Sequence, residues 1–301
     1  MSLKKIGALA AVATLGLGLA ACGGDPTEGD AAASDTIVVG SADFPENEII
    51  AEIYAQALEA KGIKVEKKLR IGAREAYIPA LEKGEIDLLP EYSGNLLAYF
   101  DKDTTATSTE QVDDALDDAL PSKLEVLDAA PAEDKDSLNV TKKFSTDNGV
   151  TSIADLSKVK DLKLAANPEF KTRNYGIPGL EKVYGIKDVD FTAISDGGGP
   201  NTLKALLEGK VDVANIYSTT PSIKANDLVT LEDPENLIAA QNVIPVINKK
   251  KASDKVEDVL DAVSEKLTTE DLLDLNGQNQ GDDKVAPATL AKQWLEDKGL
   301  V

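Results

Sequence analysis

The chain has 301 residues, enough for two domains that each bury a hydrophobic core. With 32 Lys+Arg against 53 Asp+Glu, its formal net charge is −21, which disfavours nucleic acid as a partner. It has no histidine and a single cysteine, which excludes histidine metal sites, Ser-His-Asp triads and Cys-His dyads. The composition therefore favours a binding protein over an enzyme, and we expect neither a cofactor nor a metal ion.

The start of the chain indicates export. Two lysines precede an uncharged, mostly apolar run over residues 6–21, which is short for a membrane-spanning helix and typical of a secretory signal. Residues 19–22, Leu-Ala-Ala-Cys, resemble the lipobox of bacterial lipoproteins, in which the signal is cut before an acylated cysteine. We predict a signal peptide over residues 1–21, a lipid on Cys22 and a flexible tether over 22–35. An ordinary signal with an incidental cysteine, or a buried apolar helix, is the alternative.

Beyond the tether, short apolar strands alternate with helices of about 10–15 residues, which indicates an α/β fold with parallel sheets. Strands are predicted over residues 36–40, 65–69, 86–89 and 243–247, and a short helix over 76–83. Asp43 and Glu46 have the spacing of a capping box, and Pro45 suits the first turn of the helix that follows.

One stretch of the first half recurs in the second. Residues 81–88, Leu-Glu-Lys-Gly-Glu-Ile-Asp-Leu, lead to Tyr92, and residues 207–213, Leu-Glu-Gly-Lys-Val-Asp-Val, lead to Tyr217. Each tyrosine follows a short predicted strand, and the loops at the carboxyl ends of parallel strands line the ligand crevice. The repeat therefore predicts that both tyrosines face one cleft. A chance match is the alternative, since helix-Gly-strand turns are common.

We expect the chain to cross into a second domain near residues 128–140 and to return near 236–242. Domain I is predicted over residues 36–138 and 242–301, and domain II over 139–241. Two crossing segments of this kind form a hinge that opens and closes around a ligand.

These motifs resemble the substrate-binding lipoproteins of ABC importers for glycine betaine, choline, carnitine and related osmoprotectants. The resemblance covers residues 36–301 and is carried by residues 40–47, 53–59, 79–87, 90–95, 179–185 and 231–245. It implies a type II periplasmic-binding-protein fold, in which two α/β domains joined by a two-strand hinge close on the solute. It also implies an ABC permease as partner and a monomer held at the extracytoplasmic face of the cell membrane by its lipid anchor alone.

In that family a quaternary ammonium sits in a cage of aromatic side chains. Such a cation has no N–H group, so ring faces attract it in place of hydrogen bonds. The resemblance places Tyr92 and Tyr217 at two cage positions. Leu138 and Gln241 stand where relatives often have tyrosine, which favours a thinner cage and opens the possibility of a more polar solute.

Further candidate ligand-binding residues are aromatic, amide or charged: Tyr77, Tyr175, Gln241, Asn242, Arg74, Arg173, Asp43 and Phe44. The two arginines would hold a substrate carboxylate through two parallel hydrogen bonds, with a surface or interdomain ion pair as the alternative. Asp43 and Phe44 lie on the first strand-to-helix loop, where Asp43 would equally serve as a helix cap.

The leading hypothesis is an extracytoplasmic lipoprotein that delivers an osmoprotectant-like solute to an ABC importer. The alternatives are a carboxylate-based hydrolase, which needs two acidic side chains about 5–9 Å apart, and a solute sensor on the same fold. Asp87 and Asp212 are related by the repeat, but we expect them to bond the backbone at strand ends.

Overall fold

Two five-stranded sheets organise residues 36–301, which are the residues described by this computed structural model. The predicted signal peptide, the tether and Cys22 lie outside them. The strands are β1 (Thr36–Gly40), β2 (Lys64–Lys68), β3 (Leu88–Tyr92), β4 (Leu124–Val126), β5 (Leu138–Thr141), β6 (Lys163–Ala166), β7 (Asp190–Ala193), β8 (Val213–Asn215), β9 (Leu228–Thr230) and β10 (Val243–Asn248).

Helices surround both sheets, and none within residues 36–301 is long and apolar enough to cross a bilayer. They are α1 (Pro45–Ala60), α2 (Arg74–Lys83), α3 (Ser93–Phe100), α4 (Thr109–Ala119), α5 (Lys142–Asn148), α6 (Ile177–Tyr184), α7 (Pro200–Leu207), α8 (Ser222–Ala225), α9 (Asp254–Lys266), α10 (Thr269–Gln280) and α11 (Pro287–Lys298). Two short 3-10 turns lie at Ile153–Lys158 and Pro168–Lys171.

The two sheets share one plan. The first has the order β2-β1-β3-β10-β4 and the second the order β7-β6-β8-β5-β9. In each, three parallel strands are followed by a fourth that runs antiparallel to both of its neighbours. The prediction of parallel sheets is therefore wrong for the fourth strand of each, while the fifth strand runs in the direction of the first three. We call the first sheet with its helices lobe I and the second sheet with its helices lobe II.

The chain crosses between the lobes twice, after β4 and again before β10. The two crossing segments lie side by side, because Glu133 and Asn242 form an antiparallel bridge and the Asp134 N–H donates to the Gln241 carbonyl at 3.2 Å. Two adjacent segments at the base of two lobes have the geometry of a hinge. The predicted domain limits stay a prediction, and the limit at residue 138 falls on the first residue of β5.

The sequence repeat is also a structural repeat. α2 ends at Gly84 and α7 is followed by Gly209, with φ of 74° and 68°, so both glycines adopt the left-handed conformation that ends a helix. Asp87 accepts a hydrogen bond from the Val38 N–H and Asp212 accepts one from the Lys163 N–H, both at 2.9 Å. The expectation that the two aspartates bond the backbone is confirmed.

The first strand-to-helix loop departs from its prediction. The N-cap of α1 is Phe44, whose extended backbone (φ −148°, ψ 155°) places Pro45 in the first turn, and no side chain caps the helix. Asp43 accepts a hydrogen bond from Arg70 Nε at 2.8 Å instead. The predicted capping box is therefore wrong, and Glu46 is free to point into the protein interior.

Each lobe buries its own apolar core. In lobe I, α1 packs against α9, α10 and α11 and buries Ile49, Ile53 and Leu58. In lobe II, Leu138 is 1% exposed and belongs to the core between the sheet and its helices. Leu138 thus occupies a packing position in the core of lobe II.

Candidate functional site

A cavity of about 270 Å³ lies where the loops after β1, β2, β3, β6, β7 and β8 meet the first crossing segment. These loops belong to both lobes, so the cavity lies in the cleft between them. Its wall is formed by Ala42, Asp43, Phe44, Gly72, Ala73, Arg74, Tyr77, Tyr92, Asn95, Asp134, Asp136, Asn167, Glu169, Arg173, Ser195, Gly197 and Tyr217.

Three aromatic rings meet in this wall. The ring centroid of Phe44 lies 6.0 Å from that of Tyr92 and 5.2 Å from that of Tyr217. The Tyr92 hydroxyl donates to Glu46 Oε1 at 2.7 Å, and the Tyr217 hydroxyl accepts from Asn167 Nδ2 at 3.0 Å. Burial first, and then nearby carboxylates, raise the pKa of both tyrosines, so both hydroxyls stay neutral. The two tyrosines of the repeat are thus brought together, with Phe44 between them.

Two buried carboxylates from the first crossing segment also line the cavity, on the side where the aromatic rings lie. Asp136 accepts from Asn95 Nδ2 at 2.8 Å, and Asp134 accepts from the Thr219 N–H at 3.0 Å. Neither forms a salt bridge within residues 36–301. Burial and the neighbouring Glu46 carboxylate raise the pKa of Asp134 well above its ordinary value. An electron-rich pocket of this kind attracts a cation.

Arg74 reaches the cavity wall, but its guanidinium is already paired. Its Nε and Nη2 donate to the two carboxylate oxygens of Glu91, each at 2.7 Å, and the Tyr77 hydroxyl donates to the same carboxylate at 2.8 Å. Burial lowers the pKa of Arg74, but the Glu91 charge and its hydrogen bonds outweigh that effect and raise it. Arg74 is thus held in a buried ion pair within lobe I, which is neither the surface nor the interdomain pair considered as its alternative. Tyr77 is bound to the same carboxylate.

Arg173 joins the two lobes across the cavity. Its Nη2 lies 3.1 Å from Glu75 Oε2 of lobe I, and its Nη1 donates to the Tyr175 hydroxyl at 3.0 Å. Tyr175 lies behind the wall, where it packs edge-on against Phe170, and burial raises its pKa to about 12. Tyr175 therefore positions Arg173 and does not itself line the cavity.

Gln241 and Asn242 lie away from the cavity wall, against the prediction that they hydrogen-bond the solute. Gln241 is 1% exposed, accepts from the Asn95 N–H at 3.0 Å and donates to Asn95 Oδ1 at 2.9 Å. Asn242 donates to the Ala130 carbonyl at 2.9 Å and accepts from the Thr109 hydroxyl at 3.0 Å. Both amides hold the return segment against lobe I, because that segment runs beneath the start of α3.

The comparison with known proteins agrees with this geometry. Residues 35–297 match the OpuAC family, described as the substrate binding domain of ABC-type glycine betaine transport systems. The chain belongs to this family. The predicted family and the predicted fold class are thereby confirmed.

Individual relatives show the same relationship. The chain is 31% identical over 230 residues to the glycine betaine-binding protein YehZ of Escherichia coli strain K12, which covers 72% of this chain and 75% of that protein. The solved apo structure of YehZ is 28% identical, covers 88% of this chain and 99% of its own, and has a TM-score of 0.62. A glycine betaine/carnitine/choline ABC transporter structure is 22% identical with the same coverage and a TM-score of 0.68, which shows likeness of fold.

The acidic residues of this binding domain were missed in the sequence. Asp134 and Asp136 lie on the predicted first crossing segment, and a crossing segment between two lobes must pass the floor of the cleft. The two aspartates in this segment could therefore have been predicted from the sequence to line the cleft. Glu169 enters the wall through the loop after β6, where its charge alone carried no signal.

Proposed function

We propose that this binding domain holds a small quaternary ammonium osmolyte, such as glycine betaine, choline or carnitine, in the cavity between its lobes. The observation that carries the proposal is the group of three rings, Phe44, Tyr92 and Tyr217. They lie beside Asp134 and Asp136, which have no salt-bridge partner within residues 36–301. A quaternary ammonium offers no hydrogen-bond donor, so ring faces and nearby negative charge are the groups that attract it.

The energetics support such a ligand. Each ring face contributes about 0.5–2 kcal/mol to cation binding, more when water is excluded. Buried carboxylates add an attraction that is stronger inside a protein than in water. A cation bound there would also favour the ionised form of Asp134, whose pKa is raised by burial and by the Glu46 charge.

We expect the polar end of the solute to lie near Arg173. The Nε and Nη2 atoms of Arg74 are committed to the fully buried Glu91. Arg173 is paired with Glu75, whose side chain is 48% exposed, so this guanidinium is the one that a solute carboxylate or hydroxyl would engage. Asn95 and Asn167 also line the wall and offer amide groups.

The family is one of solute-binding proteins, which bind a small molecule and work with a membrane permease on the extracytoplasmic side. We propose in addition that Cys22 carries the lipid anchor, that the protein is a monomer, and that its domains divide at residues 138/139 and 241/242. Mass spectrometry of the chain purified from membranes tests the anchor: an unmodified Cys22 would contradict it.

Thermal unfolding of the full chain with a panel of solutes tests the function. At concentrations near 100 times the dissociation constant, a ligand stabilises the folded state by about 2.7 kcal/mol, which raises Tm by about 5 °C in a protein of this size. We expect glycine betaine, choline or carnitine to do so and neutral amino acids to have no effect. If no quaternary ammonium compound raises Tm, the proposal is wrong.

A further inference from the structure

Two buried carboxyl groups lie in contact beside the aromatic rings. Glu46, in the first turn of α1, is 4% exposed, and Asp134, in the first crossing segment, is 5% exposed. Both bind Thr219 of lobe II: its hydroxyl donates to Glu46 Oε2 at 2.5 Å and its N–H donates to Asp134 Oδ1 at 3.0 Å. The two carboxyl groups are also within hydrogen-bond reach of each other. Two carboxylates cannot donate to one another, so this contact requires a proton on one of them.

The hydrogen bonds around the pair indicate which carboxyl group holds the proton. Glu46 accepts three hydrogen bonds of 2.5–2.7 Å, from the side chains of Tyr92, Thr219 and Asn276. Asp134 accepts two longer ones, from the Thr219 N–H and from the Ser218 hydroxyl at 3.1 Å, both at Oδ1. Donors favour the ionised form of the carboxyl group that receives them. The proton therefore belongs to Asp134, and burial and the Glu46 charge raise the pKa of Asp134 in agreement.

No basic side chain within residues 36–301 forms a salt bridge with either carboxyl group. Asp134 lines the first cavity and an adjoining one of about 610 Å³. The other charged side chains of these two walls, apart from Glu46, are Asp43, Arg74, Asp136, Glu169, Arg173, Asp196 and Lys284.

The basic groups around Asp134 are paired or face solvent. Arg74 and Arg173 are held by Glu91 and Glu75, and Lys135, the next residue in the chain, is held by Glu133. Lys284 is exposed. The tyrosines of the wall are neutral. The charge that can replace the proton of Asp134 is therefore one that a solute brings.

We infer that Asp134 holds a proton in the empty cavity and releases it when a cationic solute binds, which makes Asp134 a specificity-determining residue for positive charge. The proton passes from the Asp134 carboxyl group to water as the ammonium enters, so the net charge of the cavity is the same before and after binding. A neutral solute of the same shape leaves the proton in place. This inference rests on the proposed function, since it requires a cation among the rings.

The probe is choline, and its control is 3,3-dimethyl-1-butanol, in which a tert-butyl group replaces the trimethylammonium. Because ionised Asp134 binds a cation better than neutral Asp134, choline affinity should rise up to about tenfold per pH unit while Asp134 is protonated and then stay constant. Calorimetry in buffers of different ionisation enthalpy counts the protons. We expect choline to release at most about one proton over the same pH range, and the neutral alcohol to release none.

A variant pair assigns the proton. In Asp134→Asn an amide N–H can donate to Glu46 in place of the carboxyl O–H, so the contact is kept without a proton to lose. We expect this variant to bind choline without proton release, with an affinity that does not change with pH, and about tenfold or more weakly than the native chain at high pH. Asp136→Asn makes the same change in the same wall and should weaken choline binding but keep the proton release.

Two results would overturn the inference: choline binds between pH 5 and 9 with constant affinity and no proton release, or Asp134→Asn releases as many protons as the native chain. Failure of every quaternary ammonium compound to bind would instead reject the proposed function. In that event ¹³C NMR of the Asp134 carboxyl carbon still decides whether the empty cavity holds the proton. A titration midpoint near the ordinary aspartate value of about 3.9 would contradict it, and a midpoint well above that value would support it.

Discussion

Tyr217 is held from two sides, by the ring of Phe44 at 5.2 Å and by the Asn167 side-chain amide that donates to its hydroxyl. Its repeat partner Tyr92 is held by Phe44 and by the buried Glu46. At this scale the cavity consists of rings locked by their hydroxyls, and rings fixed in advance lose little entropy when a ligand binds.

Two substitutions at Tyr217 distinguish the contribution of its ring to binding from that of its hydroxyl. We expect Tyr217→Ala to weaken quaternary ammonium binding about 2- to 30-fold, since one ring face is worth about 0.5–2 kcal/mol. Tyr217→Phe keeps the ring and should bind nearly as well as the native protein. Isothermal titration calorimetry measures both, and equal affinities for the alanine variant and the native protein would contradict a role for this ring.

We expect the buried ion pair of Arg74 and Glu91, at the edge of the cavity, to stabilise the fold. Breaking a fully buried ion pair leaves an uncompensated charge and costs about 3–5 kcal/mol. We expect Glu91→Gln to lower the free energy of unfolding by that amount in urea denaturation. The control is Asp147→Asn, which removes the partner of Lys143 in an exposed pair and should change little. Comparable losses in both variants would refute this assignment.

Strands differ from their predicted limits where contacts between distant residues outweigh the local sequence pattern. The strand predicted over residues 86–89 is observed as β3 at Leu88–Tyr92. Its Pro90 would ordinarily end a strand, but it lies opposite Pro245 of the antiparallel β10. The strand continues through Pro90 because its neighbour has a proline at the same register position. The same extension carries Tyr92 to the cavity at the end of the strand.

A comparison of two glycines tests how closely the loops of lobe II are packed. Gly198 and Gly209 both have positive φ, 76° and 68°. A Cβ on Gly198 would lie 2.7 Å from Ile216 Cα, whereas one on Gly209 would meet nothing within 4 Å. We expect Gly209→Ala to cost about 1–2 kcal/mol from backbone conformation alone.

For Gly198→Ala we expect the same conformational cost and about 1–3 kcal/mol more from the steric clash. Equilibrium unfolding in urea measures the difference. Since both residues share the left-handed conformation, equal losses of stability would show that the approach of Gly198 to β8 is not restrictive.

Within residues 36–301 the two lobes are closed on each other. Lobe II reaches lobe I through Arg173 with Glu75, through the Thr219 hydroxyl with Glu46, and through Asn174 Nδ2, which donates to the Lys102 carbonyl at 3.0 Å. These contacts lie on the cavity side of the hinge, so they close the cleft over any solute and must break for release.

Acid should loosen this clamp. Partial burial raises the pKa of Glu75, but the hydrogen bonds and charge of Arg173 outweigh it and lower the pKa below 4.5. A lowered carboxyl pKa means that the contact stabilises closure above the ordinary pKa and is lost as pH falls through the lowered one. Because Glu75 is half exposed, the effect on the closed population is at most about fivefold.

Small-angle scattering across pH 7 to 3 measures this opening as an increase in the radius of gyration of the unliganded chain. Glu75→Gln should be more open at pH 7 and should show a smaller change with pH than the native protein. Identical pH profiles for the two proteins would rule out Glu75 as the titrating group.

The sequence by itself determined the family, the α/β architecture and the meeting of Tyr92 and Tyr217, because a repeated helix–strand–loop unit places equivalent residues at equivalent sheet ends. Only the tertiary structure decided that Arg74 is neutralised by Glu91, that Gln241 and Asn242 hold the hinge, and that buried carboxylates enter the cavity. Those outcomes depend on the path of the crossing segments and on which residues meet across long stretches of chain. The local sequence pattern predicts neither the path nor these contacts, because hydrogen bonds and ion pairs form between atoms within a few ångströms whatever their distance in sequence.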